Sequence, residues 1–309
     1  FVIDPAEAHQ WIAADPRNAD VLFPYLNGED LNSRPDCSAS RWVIDFFKVP
    51  AVADARQYKL PFARVESLVK PERQRLKIAY RRNNWWLHAS SAPALRRATS
   101  DLRHVIVMTR VSRTVMPMRV RLGPVVSDSC VVFATDDSAT LAALSSASHQ
   151  VWAIKYGSGM RNDPRYTPSD VFETFPRPAP TEELDRIGRV LDEDRREIML
   201  RRQLGLTKLY NLVNDPDLPD AADADVARMR GIHTELDHVV MAAYGWDDVS
   251  LDHGFHSYRQ MTRWTVSPAA RVEILDRLLE ENHRRAASQG AAPPPEPEAT
   301  DDTADTEDT

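Results

Sequence analysis

The segment Arg81–Trp86 places two arginines, two asparagines and two tryptophans in succession. Arginine neutralises phosphates, asparagine hydrogen-bonds base edges, and tryptophan rings offer flat faces on which bases stack. Between residues 56 and 121, sixteen Lys and Arg stand against three acids, although the whole chain carries a net charge of −7. We therefore expect nucleic-acid contacts from Arg81, Arg82, Asn83 and Trp85. The alternative is an ordinary surface turn followed by a strand that buries its tryptophans.

A second polar and basic segment follows a strand predicted at residues 104–110. Alternation along the strand places Arg110 and Ser112 on one face, with Arg113 at the following turn. This pattern predicts a second nucleic-acid contact. An edge strand whose positive charge discourages aggregation has the same pattern, so both interpretations stay open.

The densest polar segment runs from residue 155 to residue 170. Gly157 and Gly159 allow a partner to approach the backbone closely, and Pro164 and Pro168 restrict the loop, which lowers the entropy lost on binding. A structured linker is the alternative interpretation. The side chains expected to contact bases or phosphates here are Lys155, Arg161, Asn162, Asp163, Arg165 and Tyr166.

Motifs for catalysis are missing from the sequence. It has no Asn-Pro-Pro-Tyr-like tetrapeptide to grip a target amino group, no glycine-rich loop after a strand for a nucleoside cofactor, and no paired acids followed by Lys. Cys37 and Cys130 lack a metal-ligand spacing, and no acid or cysteine completes a site with His253 and His256. We therefore expect binding without catalysis, with no catalytic residue, metal or cofactor on this chain.

Hydrophobic patterning predicts an α+β fold. The patterns predict a short helix after Asp4 and further helices at 61–79 and 136–152. They predict strand-like runs at 41–47, 104–110, 115–121 and 130–134. A proline-rich linker follows these elements, and after it helices are predicted at 181–204, 223–244 and 267–285. We expect a mixed α/β domain over 1–180, a mainly helical domain over 181–285 and a disordered acidic tail over 286–309.

Eight segments occur in an order that resembles one family. They are Phe23–Asn32, Ser40–Phe46, Lys70–Arg73, Trp85–Trp86, Lys155–Ser158, Arg165–Pro176, Arg202–Lys208 and Ala243–Asp248. Together they resemble the C-terminal part of the MmeI-type adenine-specific DNA methyltransferases, which are single-chain restriction–modification enzymes. The resemblance extends from residue 1 to about residue 285.

This resemblance implies a target recognition domain for double-stranded DNA, followed by a C-terminal helical domain. It places the nuclease and the S-adenosylmethionine-dependent methyltransferase domains upstream, so a catalytic partner would act in the same polypeptide or as a separate subunit. It also implies that specificity residues lie around Arg161, Asn162, Asp163 and Arg165. Since the chain begins with Phe1, we expect a piece of a longer protein.

The amino-acid composition indicates the cellular compartment of the protein. Two cysteines in 35.0 kDa suit a reducing cytoplasm, and no apolar run has the length of a membrane span.

A function of another class stays open: a non-catalytic interaction or adaptor protein, or the remnant of a truncated gene, could carry an incidental basic surface. An upstream reading frame that encodes a methyltransferase core would favour the recognition module.

Overall fold

The computed structural model describes residues 1–112, 115–160, 163–258 and 261–290, and it mixes helices with short strands, which confirms the α+β prediction. The strands are β1 (Val2–Ile3), β2 (Leu22–Leu26), β3 (Arg41–Ile44), β4 (His104–Thr109), β5 (Met118–Arg121), β6 (Val125–Val126), β7 (Cys130–Phe133), β8 (Ser158–Met160), β9 (Asp163–Arg165), β10 (Gly254–Tyr258) and β11 (Met261–Thr265). The helices are α1 (Pro5–Ala14), α2 (Gly28–Ser33), α3 (Val52–Ala55), α4 (Lys59–Arg73), α5 (Ala79–Asn83), α6 (Pro93–Ala98), α7 (Ser138–Ser145), α8 (Ala147–Tyr156), α9 (Pro168–Val171), α10 (Glu182–Arg202), α11 (Leu206–Val213), α12 (Ala224–Tyr244) and α13 (Pro268–Gly290). Short 3₁₀ helices occupy Pro16–Asp20 and Asp220–Ala222.

The first sheet has the strand order β1-β3-β2-β6. β3 pairs antiparallel with both β1 and β2, whereas β2 pairs in parallel with β6. Apolar side chains from this sheet and from α1, α3 and α4 form one core, which includes Phe46, Phe62, Trp85 and Trp86. Both tryptophans of the basic region therefore belong to the interior of this part of the fold.

The second sheet has the antiparallel order β5-β4-β7. Its central strand is buried at four successive apolar positions, Val105–Met108, because both of its faces are covered. The core around it continues into α7, α8 and the helices after residue 180, as far as Leu278. Since that core is continuous across residue 180, the expected domain boundary there stays a prediction.

Polar side chains begin several helices where the sequence predicts it. The Asp4 carboxylate accepts a hydrogen bond from the Ala6 amide, and the Thr181 hydroxyl accepts one from the Leu184 amide at 3.1 Å. α13 continues to Gly290, beyond the predicted end at residue 285, because the alanines there favour helix. Residues 291–309 of the predicted tail lie outside the described residues. Within the described ranges, the structure has no helix with the length and apolar character to cross a membrane.

Some predicted elements are wrong in detail. The helix predicted over 136–152 is interrupted at Ser146, whose extended backbone and hydroxyl cap the start of α8. α4 contains Pro71 and ends at Arg73 rather than at residue 79. The segment predicted as a loop after residue 155 contains the β8–β9 hairpin, and the β10–β11 hairpin and α11 were not predicted.

A close helix crossing joins the two halves of the chain. α10 crosses the start of α7 at Gly188, where a Cβ would overlap the carbonyl oxygen of Ser138. A backbone oxygen cannot swing aside as the end of a long side chain can. Gly188 therefore sets the distance between α10 and α7, and through α7 the position of α8.

Replacing Gly188 with Ala should destabilise the fold by about 1–3 kcal/mol, because the added methyl group overpacks this crossing. Gly231→Ala is the matched control: Gly231 lies within α12, is exposed, and has nothing within 4 Å of a built Cβ. There the helix preference of alanine should stabilise by about 0.5–1 kcal/mol. Urea unfolding of both variants measures the difference, and equal effects of the two substitutions would contradict the close crossing.

Candidate nucleic-acid interface

The β8–β9 hairpin lies beside the segment that follows β4. Within the hairpin Ser158 pairs with Arg165, and Arg165 also forms an antiparallel bridge with Val111. The amide of Tyr166 donates a hydrogen bond to the carbonyl of Arg110 at 2.7 Å. The fold thus brings together two of the three segments predicted to contact nucleic acid.

A buried pair of side chains fixes the base of this hairpin. The His149 Nδ1–H group donates to the Leu144 carbonyl at 2.7 Å, since a carbonyl can only accept. The other ring nitrogen, Nε2, then accepts a hydrogen bond from the Tyr166 hydroxyl at 2.9 Å. Burial lowers the pKa of His149 to about 4 and raises that of Tyr166, so both groups stay neutral at pH 7. The pair ties the end of β9 to α8.

The backbone turns from α8 into the hairpin at Gly157. A Cβ at this residue would overlap the Ala153 carbonyl oxygen and would lie 2.9 Å from the carbonyl oxygen of Arg165. The missing side chain therefore lets β9 pass directly beside the end of α8. The glycine predicted to allow approach by a partner instead allows approach by the chain's own backbone.

The cations around the hairpin differ in how much of each side chain is exposed to bind a ligand. Lys155 and Arg165 are exposed, and neither has an acidic partner among the described residues. Arg110 is half-buried, and its Nε donates to the Asp128 carbonyl at 2.8 Å, which leaves its charge uncompensated by any described carboxylate. Ser112 is half-buried beside them. Together they form a positively charged edge around the hairpin.

Other predicted residues of this region contribute differently. The Tyr166 ring is buried, so it supports the hairpin instead of presenting a face to a base. Arg113, Arg161 and Asn162 lie outside the described residues. The backbone of Asp163 pairs with Met160 in the hairpin.

The third predicted segment forms α5 and the turn after it. Trp85 is only 6% exposed, and its ring packs edge-on against Phe62 and Trp86. The expectation that this ring stacks on a base is wrong for this conformation, because both faces are covered by the fold. Aromatic residues next to arginines have the same pattern in a core as on a binding surface, so the pattern alone does not separate the two.

The polar residues of this segment divide into anchors and exposed groups. Arg82 donates through Nη1 to the carbonyls of Leu76 and Lys77, at 2.9 and 2.7 Å. That arginine therefore holds the chain between α4 and α5. Arg81 is half-buried and Asn83 is exposed, so both keep surface for a ligand.

Comparison with known proteins identifies the family to which this chain belongs. The sequence profile described as "MmeI, target recognition domain" matches residues 1–179, more than half of the chain. The chain belongs to this family. A search of curated proteins found no match.

The fold agrees with that membership. A solved structure described as the Type IIL restriction-modification enzyme MmeI in complex with DNA has 16% sequence identity to this chain and a TM-score of 0.62. The match covers 93% of this chain and 34% of that chain. The helices after residue 179 therefore belong to the shared fold, although the family profile ends there.

Residues that carry the family resemblance are mostly structural in this MmeI-type domain. Asn27 begins α2 by accepting a hydrogen bond from the Asp30 amide at 2.9 Å, and the Gly28 amide donates to the Ser129 hydroxyl at 2.9 Å. In the later segment, Thr174 accepts from the indole of Trp152 at 3.1 Å. These segments thus connect α2 to the residue before β7, and the chain after α9 to α8.

Three cations of the basic run have acidic partners among the described residues. Arg64 pairs with Glu7, and Lys70 pairs with Glu66 at 2.9 Å. Arg96 pairs with the buried carboxylate of Asp45. Within the described residues, the exposed cations of this run that have no acidic partner are Arg56, Lys59, Arg75, Lys77, Arg97, Arg103 and Arg121. Sequence reasoning gave these seven no individual role, because only the fold distinguishes paired cations from unpaired ones.

Two histidines of the helical half have polar partners inside the fold. The His233 Nε2 atom lies 2.7 Å from the Tyr210 hydroxyl, and His253 Nε2 lies 2.9 Å from the Asp237 carboxylate. Burial lowers the pKa of His233 to about 4. Among the described residues, no group of three or more His, Cys, Asp or Glu is placed to hold a metal ion.

The buried histidines make stability depend on pH. His149 and His233 have pKa values near 4 in the fold against about 6.5 when unfolded, so the unfolded chain binds more protons between these values. Stability should therefore fall as the pH drops from 6.5 towards 4, by up to about 1.4 kcal/mol per pH unit for each histidine. His149→Gln should lose less stability over this interval, as measured by urea unfolding at several pH values. His283→Gln, at an exposed position on α13, should keep the wild-type slope, and a wild-type slope in His149→Gln would exclude a neutral buried His149.

Proposed function

We propose that this chain recognises the sequence of double-stranded DNA for a restriction–modification enzyme that methylates adenine at N6 with S-adenosylmethionine. The catalytic domain would be supplied by the same polypeptide or by a separate subunit, and no catalytic step is assigned to this chain. One observation carries the proposal: in a member of the target recognition family, an anchored β-hairpin carries the exposed, unpaired Arg165 beside Lys155 and Arg110.

The shape and charge of the hairpin suit a DNA groove. A two-stranded β-ribbon fits the major groove, which is about 12 Å wide and displays a distinct pattern of donors and acceptors for each base pair. Arg165 can donate two hydrogen bonds to guanine O6 and N7, while Lys155 and Arg110 bind the adjacent phosphates. Because α8 leads directly into β8 and the end of β9 is anchored at Arg165 and Tyr166, little conformational entropy is lost on binding.

Cations away from the hairpin then hold the duplex in register. The exposed arginines Arg97, Arg103 and Arg121 would bind phosphates without regard to sequence, since phosphates are alike at every position. Arg81 and Asn83 supply a further polar contact. A cytoplasmic location follows from this role and agrees with the free, buried thiols of Cys37 and Cys130.

The base contact is tested by Arg165→Ala in the chain joined to its methyltransferase half, with sequencing of the methylated sites. Losing a bidentate pair costs about 1–3 kcal/mol of discrimination at one base position, so the motif should relax there and keep its other positions. Arg186→Ala is the control, because Arg186 is a half-buried arginine of α10 whose charge is paired with Glu183 and Glu235. An unchanged motif in Arg165→Ala would remove this residue from recognition.

The phosphate contacts are tested by the salt dependence of binding to duplex DNA. Each phosphate contact contributes about −0.9 to the slope of log K against log salt, so Arg97→Gln/Arg103→Gln/Arg121→Gln should flatten the slope by about 0.9 for each arginine that binds phosphate. The triple variant Arg189→Gln/Arg201→Gln/Arg284→Gln changes the net charge equally, but these arginines are paired with acids on their own helices. Its slope should match that of wild type. A flat response of the wild-type chain would favour a non-catalytic adaptor instead.

A further inference from the structure

The segment that joins α4 to α5, together with the first two residues of α5, carries large apolar side chains at the surface. We call residues 74–80 the apolar connector. Its Leu76, Ile78 and Tyr80 side chains are 38%, 46% and 59% exposed. Scattered single apolar residues are ordinary on protein surfaces, whereas several within one short segment mark an interaction site.

Polar bonds hold the apolar connector in a defined shape. Besides its two bonds to the carbonyls of Leu76 and Lys77, Arg82 accepts a hydrogen bond at its own carbonyl from the Gln74 side chain at 3.0 Å. The side chain of Asn84 donates to the Tyr80 carbonyl at 3.1 Å. An exposed segment fixed by its backbone presents its side chains in place before a ligand binds, which reduces the entropy lost on binding.

The charges on the apolar connector indicate the chemistry of its ligand. Arg75 and Lys77 alternate with Leu76 and Ile78, and Arg81 follows Tyr80. None of these three cations has an acidic partner among the described residues. The centre of a protein–protein interface is depleted of Lys and of unpaired charge. DNA offers phosphates to the cations and, at an opened base step, an apolar slot to the side chains between them.

We infer that the apolar connector is a DNA wedge: Leu76, Ile78 and Tyr80 enter between base pairs of the bound duplex and kink it, while Arg75 and Lys77 hold the flanking phosphates. This rests on the proposed function, to which it adds a second means of recognition. Pyrimidine–purine steps such as TA unstack most easily, so the wedge favours target sites that contain one at the contacted position. Such a preference needs no hydrogen bond to a base.

The experiment uses the full chain and a 40-base-pair duplex with one central TA step, labelled at its ends for energy transfer and carrying 2-aminopurine beside that step. Wild type should shorten the end-to-end distance and brighten the 2-aminopurine as it unstacks. Leu76→Ala/Ile78→Ala/Tyr80→Ala should lose most of both signals and bind this duplex about tenfold more weakly. Its salt slope should stay that of wild type, because the cations remain.

Matched variants separate the possible results. Leu68→Ala, which changes an exposed apolar residue of α4 outside the apolar connector, should bend and unstack the duplex as wild type does. Circular dichroism confirms that the triple variant is folded, as expected for exposed positions. If the folded triple variant keeps the wild-type bend and 2-aminopurine signal, the wedge is wrong and the apolar connector is a protein-docking surface.

A second measurement distinguishes failure of the wedge hypothesis from failure of the proposed function. A two-base bulge at the same place already kinks and unstacks the duplex, so binding no longer has to supply the free energy of unstacking. Wild type should therefore bind this duplex more tightly than the straight one. Salt-dependent binding without any bend in the wild-type chain would overturn the wedge and leave the proposed function standing. Absence of salt-dependent binding would overturn both.

Discussion

The hydrogen bond from the Tyr166 hydroxyl to the His149 ring joins the β8–β9 hairpin to the core of the molecule. A two-stranded hairpin is only marginally stable by itself in water, so its position depends on what anchors it. Both partners of this anchor are buried, and the second nitrogen of His149 donates to the Leu144 carbonyl. Removing either partner would leave a buried polar atom without a hydrogen bond, a cost of about 1–3 kcal/mol. The same anchor connects the hairpin to α8, and through the α7–α10 crossing at Gly188 to the helical half.

The distribution of ion pairs determines where positive charge remains on the surface of the molecule. In the helical half, most arginines of α10 lie beside acids on their own or a neighbouring helix, as Arg186 does with Glu183 and Glu235. Exposed pairs of this kind contribute little to stability, typically below about 1 kcal/mol each. Their main effect is to cancel charge locally. In the first half, exposed cations such as Arg103 and Arg121 have no such neighbour among the described residues, so the positive field is concentrated there although the chain as a whole is acidic.

Much of the fold could be predicted from the sequence because its signals are local. The strands near residues 104, 118 and 130 show as apolar runs, and Asp4, Asp137 and Thr181 begin helices through bonds to amides two or three residues ahead. The candidate site was harder to predict. Whether Trp85 faces the core or a ligand, and whether Arg82 binds phosphate or a backbone carbonyl, depends on residues that reach it only in the folded chain. The roles of Gly157 and Tyr166 likewise arise from contacts between α8 and β9.

The way the hairpin is attached has a consequence for how such domains diverge. Its attachment uses main-chain pairing with Val111 and Arg110, the absence of a side chain at Gly157, and the Tyr166 ring behind it. None of these involves the exposed side chains of the hairpin. Exposed positions can therefore be exchanged without disturbing the scaffold, whereas a change at Gly157 would shift every position at once. Related domains can therefore vary in the surface of this hairpin while they keep the same folded core.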